Sequence, residues 1–173
     1  MPPMDANELR ALQAPLKEKY KTTPDAAVVT LRAQGRLDDA KVACKIETGR
    51  ALAVAGLHPA TGGSGMELCS GDLLLEALVA CAGVTMKAVA TALEIPLRQA
   101  IVKAEGDLDF RGTLGVDRAA PVGFRAIRLS FELDTDAPQD KLDALLKLTE
   151  RYCVVFQSLN HRPELSVAAT RTA

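Results

Sequence analysis

The chain has 173 residues, 48% apolar and 25% charged, with 21 basic side chains against 22 acidic ones and a net charge of −1. That length suits one domain with a real core, or one subunit of an intertwined oligomer, and the apolar content argues against disorder. Near-neutral charge, two Tyr, four Phe and no Trp remove the usual support for nucleic-acid binding, and two histidines rule against a His-rich metal site.

The first residues, Met-Pro-Pro-Met-Asp-Ala-Asn-Glu, lack the basic and apolar regions of a secretory signal. The most apolar stretch, 73–95, has a charge-free run only from Ala77 to Met86, too short to span a bilayer. The reading is therefore a soluble, cytoplasmic protein with no membrane role. In that compartment Cys44, Cys69, Cys81 and Cys153 are expected as thiols. No Cys-x-x-Cys pair occurs, which removes a zinc ribbon or a thioredoxin-type motif.

In chain order, residues 8–19 predict a short surface helix, broken at Thr22-Thr23-Pro24-Asp25, so that 1–24 form an N-terminal helical extension to a single domain over 25–173. Alternating apolar residues predict strands at 26–33, with Val29 and Leu31 on one face, and at 41–46, with Val42, Cys44 and Ile46 inward. A third strand at 51–57 leads into a Gly-, Ser- and Thr-rich loop through Ser70. The clearest helix runs from Gly71 to Glu94, with Ser70 as its N-cap and a stop at Pro96. Its polar residues fall on one narrow stripe, which demands burial on most other sides and makes a homodimer attractive.

Two further strands follow. One sets Val102, Ala104, Gly106, Leu108 and Phe110 against Lys103, Glu105, Asp107, Asp109 and Arg111. The other sets Ile127, Leu129, Phe131 and Leu133 against Ala126, Arg128, Ser130 and Glu132. A loop or hairpin turn joins them over 112–123. Asp136 and Gln139 read as an acidic cap with a capping-box partner, opening a helix to Tyr152 with Leu142, Leu145, Leu146 and Thr149 inward. A last short strand is expected around 165–169. Strands in runs with separate helices give an α+β fold.

The four thiols differ in placement. Cys44 reads as core packing. Cys69 precedes the long helix, where the N-terminal dipole favours a thiolate, so its role stays open. Cys81 lies about 180° from Asp72 around that helix, among Leu74, Ala77, Leu78, Val84, Thr85 and Ala88, a pattern that buried core also produces. Cys153 ends the second helix on its inward side. Periodicity does not say whether the two sulfurs meet.

Two segments carry a resemblance. Thr61-Gly-Gly-Ser-Gly, followed by 71–85 with Glu76 and Ala80-Cys81, resembles the signature of the OsmC/Ohr family, and 153–159 is similar to that family's second, Cys-Pro-Val-type segment. The resemblance covers roughly 25–169. It implies a thiol peroxidase that reduces hydroperoxides, often organic ones, in an intertwined homodimer with two long central helices wrapped by strands. Carried over, Cys81 is the nucleophile, Cys153 its resolving partner, and an external dithiol the reductant; no metal, flavin or nucleotide cofactor is implied. The chemistry itself requires a nearby cation. A free thiol is only about 3% ionised at neutral pH, and an Arg at about 4 Å offers on the order of 4 kcal/mol before desolvation. The family supplies such an Arg from a Gly-Arg turn, matched here by Gly35-Arg36, with Arg32 and Arg50 as rivals.

Two positions depart from the family pattern. The acid that orients the Arg is replaced by Gly71, with Asp72 one residue on as a possible substitute or simply a favourable acid in the first turn. Val154 stands where the second motif has Pro. These departures bear on peroxide turnover more than on fold, and they leave open a non-catalytic dimer that binds a small apolar ligand, or a purely structural one. The Gly62-Gly63 loop lacks the Gly-Lys-Ser/Thr of a phosphate loop and reads as a mobile connection bordering the site. His58 and His161 read as surface or packing residues. Tyr152 is either core or a shaper of the pocket.

Overall fold

The computed structural model describes residues 6–37, 44–46, 56–66 and 69–171. The first helix, α1 (Ala6–Thr22), ends at Thr23-Pro24, as the sequence predicts, in a 3-10 turn at Pro24–Ala27. Its Tyr20 is buried and donates from its hydroxyl to the Ala60 carbonyl at 2.7 Å, so this helix contributes to the core. Strands β1 (Val28–Leu37), β2 (Cys44–Ile46), β3 (Gln99–Asp109) and β4 (Phe124–Asp134) form one antiparallel sheet in the order β2-β1-β3-β4. The strand expected at 51–57 falls mostly outside the described residues.

The sheet is two-faced because its sequence alternates. Ala100, Val102, Ala104 and Leu108 are buried, while Lys103, Glu105 and Asp107 face outward with Arg128 and Glu132. Arg128 bonds Asp107 at 2.6 Å, and Lys103 pairs with Glu132. Such half-exposed pairs add little stability, but they leave no doubt about which face is wet. Gly106 is required on the buried face, since a Cβ there would lie 2.4 Å from the Phe124 ring and 3.3 Å from Leu75.

Helix α2 (Ser70–Ala92) lies across β1 and β3 with Leu75, Leu78, Val79, Ala82, Met86 and Ala90 buried. At 23 residues it is long and apolar enough to cross a membrane, contrary to the expectation from its short charge-free run, although here its buried stripe is that of a core helix. It begins one residue earlier than expected: Cys69, not Ser70, is the N-cap, because Ser70 already has helical geometry. After Ala92 the chain turns through Glu94 in the left-handed region, φ 54°.

Three expectations fail locally. Phe110 does not continue β3 but opens a helical turn, α3 (Phe110–Thr113). Asp109 is consequently buried rather than on the polar face, where it caps Arg111 N and forms a fork with the Arg111 guanidinium at 2.6–3.2 Å. Asp136 does not cap the next helix, α4 (Gln139–Tyr152). Pro138 occupies the cap position without a side-chain bond, and Asp136 instead pairs with Arg98. The strand expected at 165–169 is absent: 162–171 carry no regular structure, and Leu165 and Val167 are 89% and 99% exposed. Alternation without a ladder partner does not make a strand.

Arg98 also forks onto Asp134, while the Thr135 hydroxyl donates to the Pro96 carbonyl at 2.6 Å. The chain leaving α2 and the chain entering α4 are thus tied at one point. Helix α4 packs on α2 and buries Leu145 and Thr149, and a last helix, α5 (Val154–Asn160), follows after the single residue Cys153.

Candidate active site

Cys81 and Cys153 come together. Cys81 sits at the middle of α2, partly exposed, and Cys153 lies fully buried at the junction of α4 and α5, near enough to Cys81 for the two side chains to interact. Both are free thiols. Burial pushes the Cys153 thiol up to about 11, and the Cys81 contact adds to the rise. Two backbone N–H groups oppose it, those of Val155 and Phe156, the latter at 3.5 Å. The Cys153 environment therefore holds a proton at neutral pH.

Cys81 is a boundary residue rather than core. One side meets Cys153; along the other, Leu74, Ala77, Val84 and Ala88 form an apolar stripe open to the exterior of the chain. A cavity of about 510 Å³ opens between α2, β4 and α5, lined by Leu78, Phe124, Ile127, Leu129 and Phe156 among others, with Arg125 and Arg162 contributing cations. Leu78 and Phe156 each lie three residues from one of the two cysteines, so this space begins about one helical turn from the thiol pair.

Gly35 and Arg36 are not in a turn. Both are ladder residues of β1, Gly35 opposite Val102 and Arg36 opposite Ile101, with β2 on their other side. The Arg36 side chain lies outside the described part of the structure, as do that of Arg32, that of Cys44 and the whole of Arg50. Gly71 occupies the first turn of α2. Asp72 is half-buried there; burial raises its carboxyl, and His58 pulls it back. Glu76, one turn on, is raised by burial and by Asp72. Among the described residues, the group that lowers the Asp72 carboxyl is His58, not an Arg.

Cys69 belongs to a different locality. Its sulfur accepts from Gly71 N at 3.4 Å, and it lines a cavity of about 400 Å³ with His58, Thr61, Leu108 and Phe110. His58 is stacked on Phe110 at 4.9 Å, and its Nδ1 accepts from Ala60 N, which leaves the other ring nitrogen to carry the hydrogen. The histidine is thus a packing and capping residue. The glycine loop beside it is a tight turn, with Gly62 N and Gly63 N donating to Pro59 O and His58 O at 3.1 Å; a Cβ at Gly63 would overlap Leu57 O. His161 caps the end of α5. Tyr152 is neither core nor pocket wall at the thiols: it is 57% exposed, with the Arg151 guanidinium 5.8 Å from its ring centre.

Sequence reasoning placed Thr149 on the inward face but saw no chemistry in it. Its hydroxyl is buried without a hydrogen-bond partner. A lone polar side chain among inward leucines is the available signal. Among the described residues, no group of three or more His, Cys, Asp or Glu stands close enough to hold a metal ion.

With this geometry in place, comparison with known proteins is decisive for family. The model of the OsmC-like protein family matches residues 62–168. The chain belongs to the OsmC-like family. Its fold agrees: the OsmC-like hydroperoxide resistance protein from Jannaschia sp. CCS1 superposes with a TM-score of 0.56 over 83% of this chain and 97% of that one, at 19% identity. No curated protein sequence matches the chain. The OsmC-like assignment accounts for the α+β architecture, with α2 and α4 packed together at its centre and α2 laid on the sheet.

Proposed function

We propose that this OsmC-like protein is a cysteine-based hydroperoxide reductase in which Cys81 is the nucleophile and Cys153 the resolving thiol. The observation that carries the reading is the contact between a partly exposed thiol and a fully buried one, on two helices brought together by the fold. The family and the hydroperoxide resistance protein of similar fold support the same chemistry.

The step sequence uses that asymmetry. The Cys81 thiolate attacks a peroxide oxygen; an S–O bond forms, the O–O bond breaks, and the alkoxide takes a proton and leaves as alcohol. Cys153 then attacks the Cys81 sulfur. An S–S bond forms, the S–O bond breaks, and the hydroxyl leaves with the Cys153 proton as water. An external dithiol returns both thiols by two exchange steps, itself becoming a disulfide. The cavity that begins one turn from the pair, walled by Leu78, Phe124, Ile127, Leu129 and Phe156, suits an organic hydroperoxide better than hydrogen peroxide. Arg36 is proposed as the cation that favours the Cys81 thiolate, contributed within a homodimer. The open apolar stripe of α2, with Val154 and Leu159 of α5, supports a second copy covering this face.

Cumene hydroperoxide added in equimolar amount to the reduced protein should remove the Cys81 and Cys153 thiols together and leave Cys69 reduced, while Cys81→Ser consumes none. If both thiols stay reduced in the wild type, the reading fails. The 510 Å³ cavity and the Gly71 departure favour one other reading, a non-catalytic binder of a small apolar molecule. Co-purified ligand in native mass spectrometry, with no peroxide consumed, would establish it.

A further inference from the structure

Leu145 and Thr149 of α4 and Cys153 at its C-terminal cap follow four residues apart and are all buried, so that the threonine stands one helical turn before the resolving cysteine. Thr149 is 1% exposed and Cys153 0%, burial supplied entirely by this chain. Threonines in helices ordinarily satisfy their hydroxyl by donating to the carbonyl a turn back. Thr22 does so to Glu18 O at 3.1 Å, and Thr91 to Lys87 O at 2.8 Å. Both of those are exposed and have water as an alternative. Thr149 has none, and still makes no such bond. Buried hydroxyls without partners are costly, so one beside a reactive group points to a partner that appears only during the reaction.

The neighbouring sulfur is such a partner. A thiol is a weak acceptor, whereas a thiolate is a strong, charged one. In the reduced protein Cys153 carries its proton and offers Thr149 little. To attack the sulfenic acid on Cys81, Cys153 must first give up its proton, which places negative charge on its sulfur in a site that otherwise disfavours charge, until the new S–S bond takes up the electron pair. Resting on the peroxidase reading above, we propose that the Thr149 hydroxyl donates a hydrogen bond to the Cys153 sulfur as it ionises, joining the backbone N–H groups of Val155 and Phe156. Thr149 is then a positioning and stabilising donor for the resolving step. It has no part in the attack of Cys81 on peroxide, and it transfers no proton: the Cys153 proton still leaves in the water.

The test is Thr149→Val, which removes the hydroxyl at nearly constant volume, with Thr149→Ser as the conservative variant. Rapid-quench mass spectrometry after cumene hydroperoxide resolves loss of the Cys81 thiol from appearance of the Cys81–Cys153 disulfide. For Thr149→Val the first rate should match wild type and the second should fall by roughly 10- to 100-fold, the range for a hydrogen bond to a charged group. Cys81 sulfenic acid should then accumulate and be trapped by dimedone. Thr149→Ser should restore the disulfide rate to within a few-fold, and the melting temperature of Thr149→Val should not fall, because the hydroxyl it removes is unpaired in the reduced protein. A wild-type disulfide rate in Thr149→Val overturns the proposal. So does equal slowing in both variants accompanied by lower melting temperatures, which marks a structural role. Oxidation by diamide supplies a peroxide-free arm. If peroxide leaves the wild-type thiols untouched yet diamide-driven disulfide formation is still slowed in Thr149→Val and rescued by Ser, the hydroxyl's role stands and the peroxidase reading falls. Unaltered diamide kinetics in Thr149→Val overturn the hydroxyl's role whatever peroxide does.

Discussion

Two cysteines in this protein cap helices in the same way and differ in almost everything else. The Cys69 sulfur accepts from an amide at the start of α2 at 3.4 Å, and the Cys153 sulfur accepts from one at the start of α5 at 3.5 Å. Cys69 is partly exposed and stands beside a stacked histidine; Cys153 has no exposed surface and touches another thiol. A capping amide is therefore not what sets a cysteine's chemistry here. Burial and the second sulfur do that, and those are properties of tertiary packing.

The largest effects should separate the pair from the cap. Cys81→Ser is expected to abolish hydroperoxide turnover, by at least about 100-fold, measured by peroxide consumption with a dithiol present. Cys153→Ser should retain the first equivalent of consumption and lose turnover, with sulfenic acid persisting on Cys81. Cys69→Ser should stay within about twofold of wild type in the same assay, the range of a surface change that touches no reacting group. A Cys69 variant as inactive as the Cys81 one would erase the contrast between the cap and the pair.

Accessibility gives the next contrast. In the native protein a water-soluble alkylating reagent should modify Cys69 on the order of 100-fold faster than Cys153, whose modification must wait for local opening of α4 and α5. Peptide mapping over time reads this directly. Stability follows with a smaller effect. Cys153→Ser places a hydroxyl in a closed site and should cost about 1–3 kcal/mol in denaturant unfolding. The same exchange at Cys69 replaces a weak acceptor with a good N-cap and should change stability by less than about 1 kcal/mol, in the favourable direction.

The smallest effect concerns pH. Burial holds the His58 imidazole below its ordinary value, opposed in part by Asp72. The unfolded chain then binds the proton more readily, so stability should decline as pH falls from about 6.5 through the folded value. His58→Gln should flatten that part of the stability profile and leave the thiol pair unaffected.

The sequence made the elements legible where a single local signal was strong. The Ala- and Leu-dense run announced α2, and strict alternation announced β3 and β4. It misled where a side chain found a better use at longer range. Asp136 has the look of a cap, but the Arg98 guanidinium holds it from 38 residues away. Asp109 continues an outward pattern, yet turns inward once Phe110 leaves the strand to cover the core. The tail near Leu165 alternates like a strand but pairs with no strand among the described residues. At the site, Cys153 was legible as inward-facing while Cys81 stands at the boundary and not in the core, and their meeting depends on how α4 is laid against α2, which no spacing encodes. Thr149 was legible as an inward residue; that its hydroxyl is unsatisfied required the packed structure.

The knot at Arg98 carries a consequence for the distant thiols. It fastens the exit of the Cys81 helix to the entrance of the Cys153 helix, so the two helices run from a common foundation toward the thiols. Cys81 lies eleven residues from Ala92, a lever of about 16 Å. Over that arm an angular error of about 4° displaces a sulfur by about 1 Å, which separates a sulfur pair in contact from one that is not. Ion pairs as exposed as these are weak contributors to stability. Their place in the molecule makes them the setting screw of the sulfur–sulfur gap, so that loss of Arg98 would be felt in the calibration of the chemistry before it was felt in the melting of the fold.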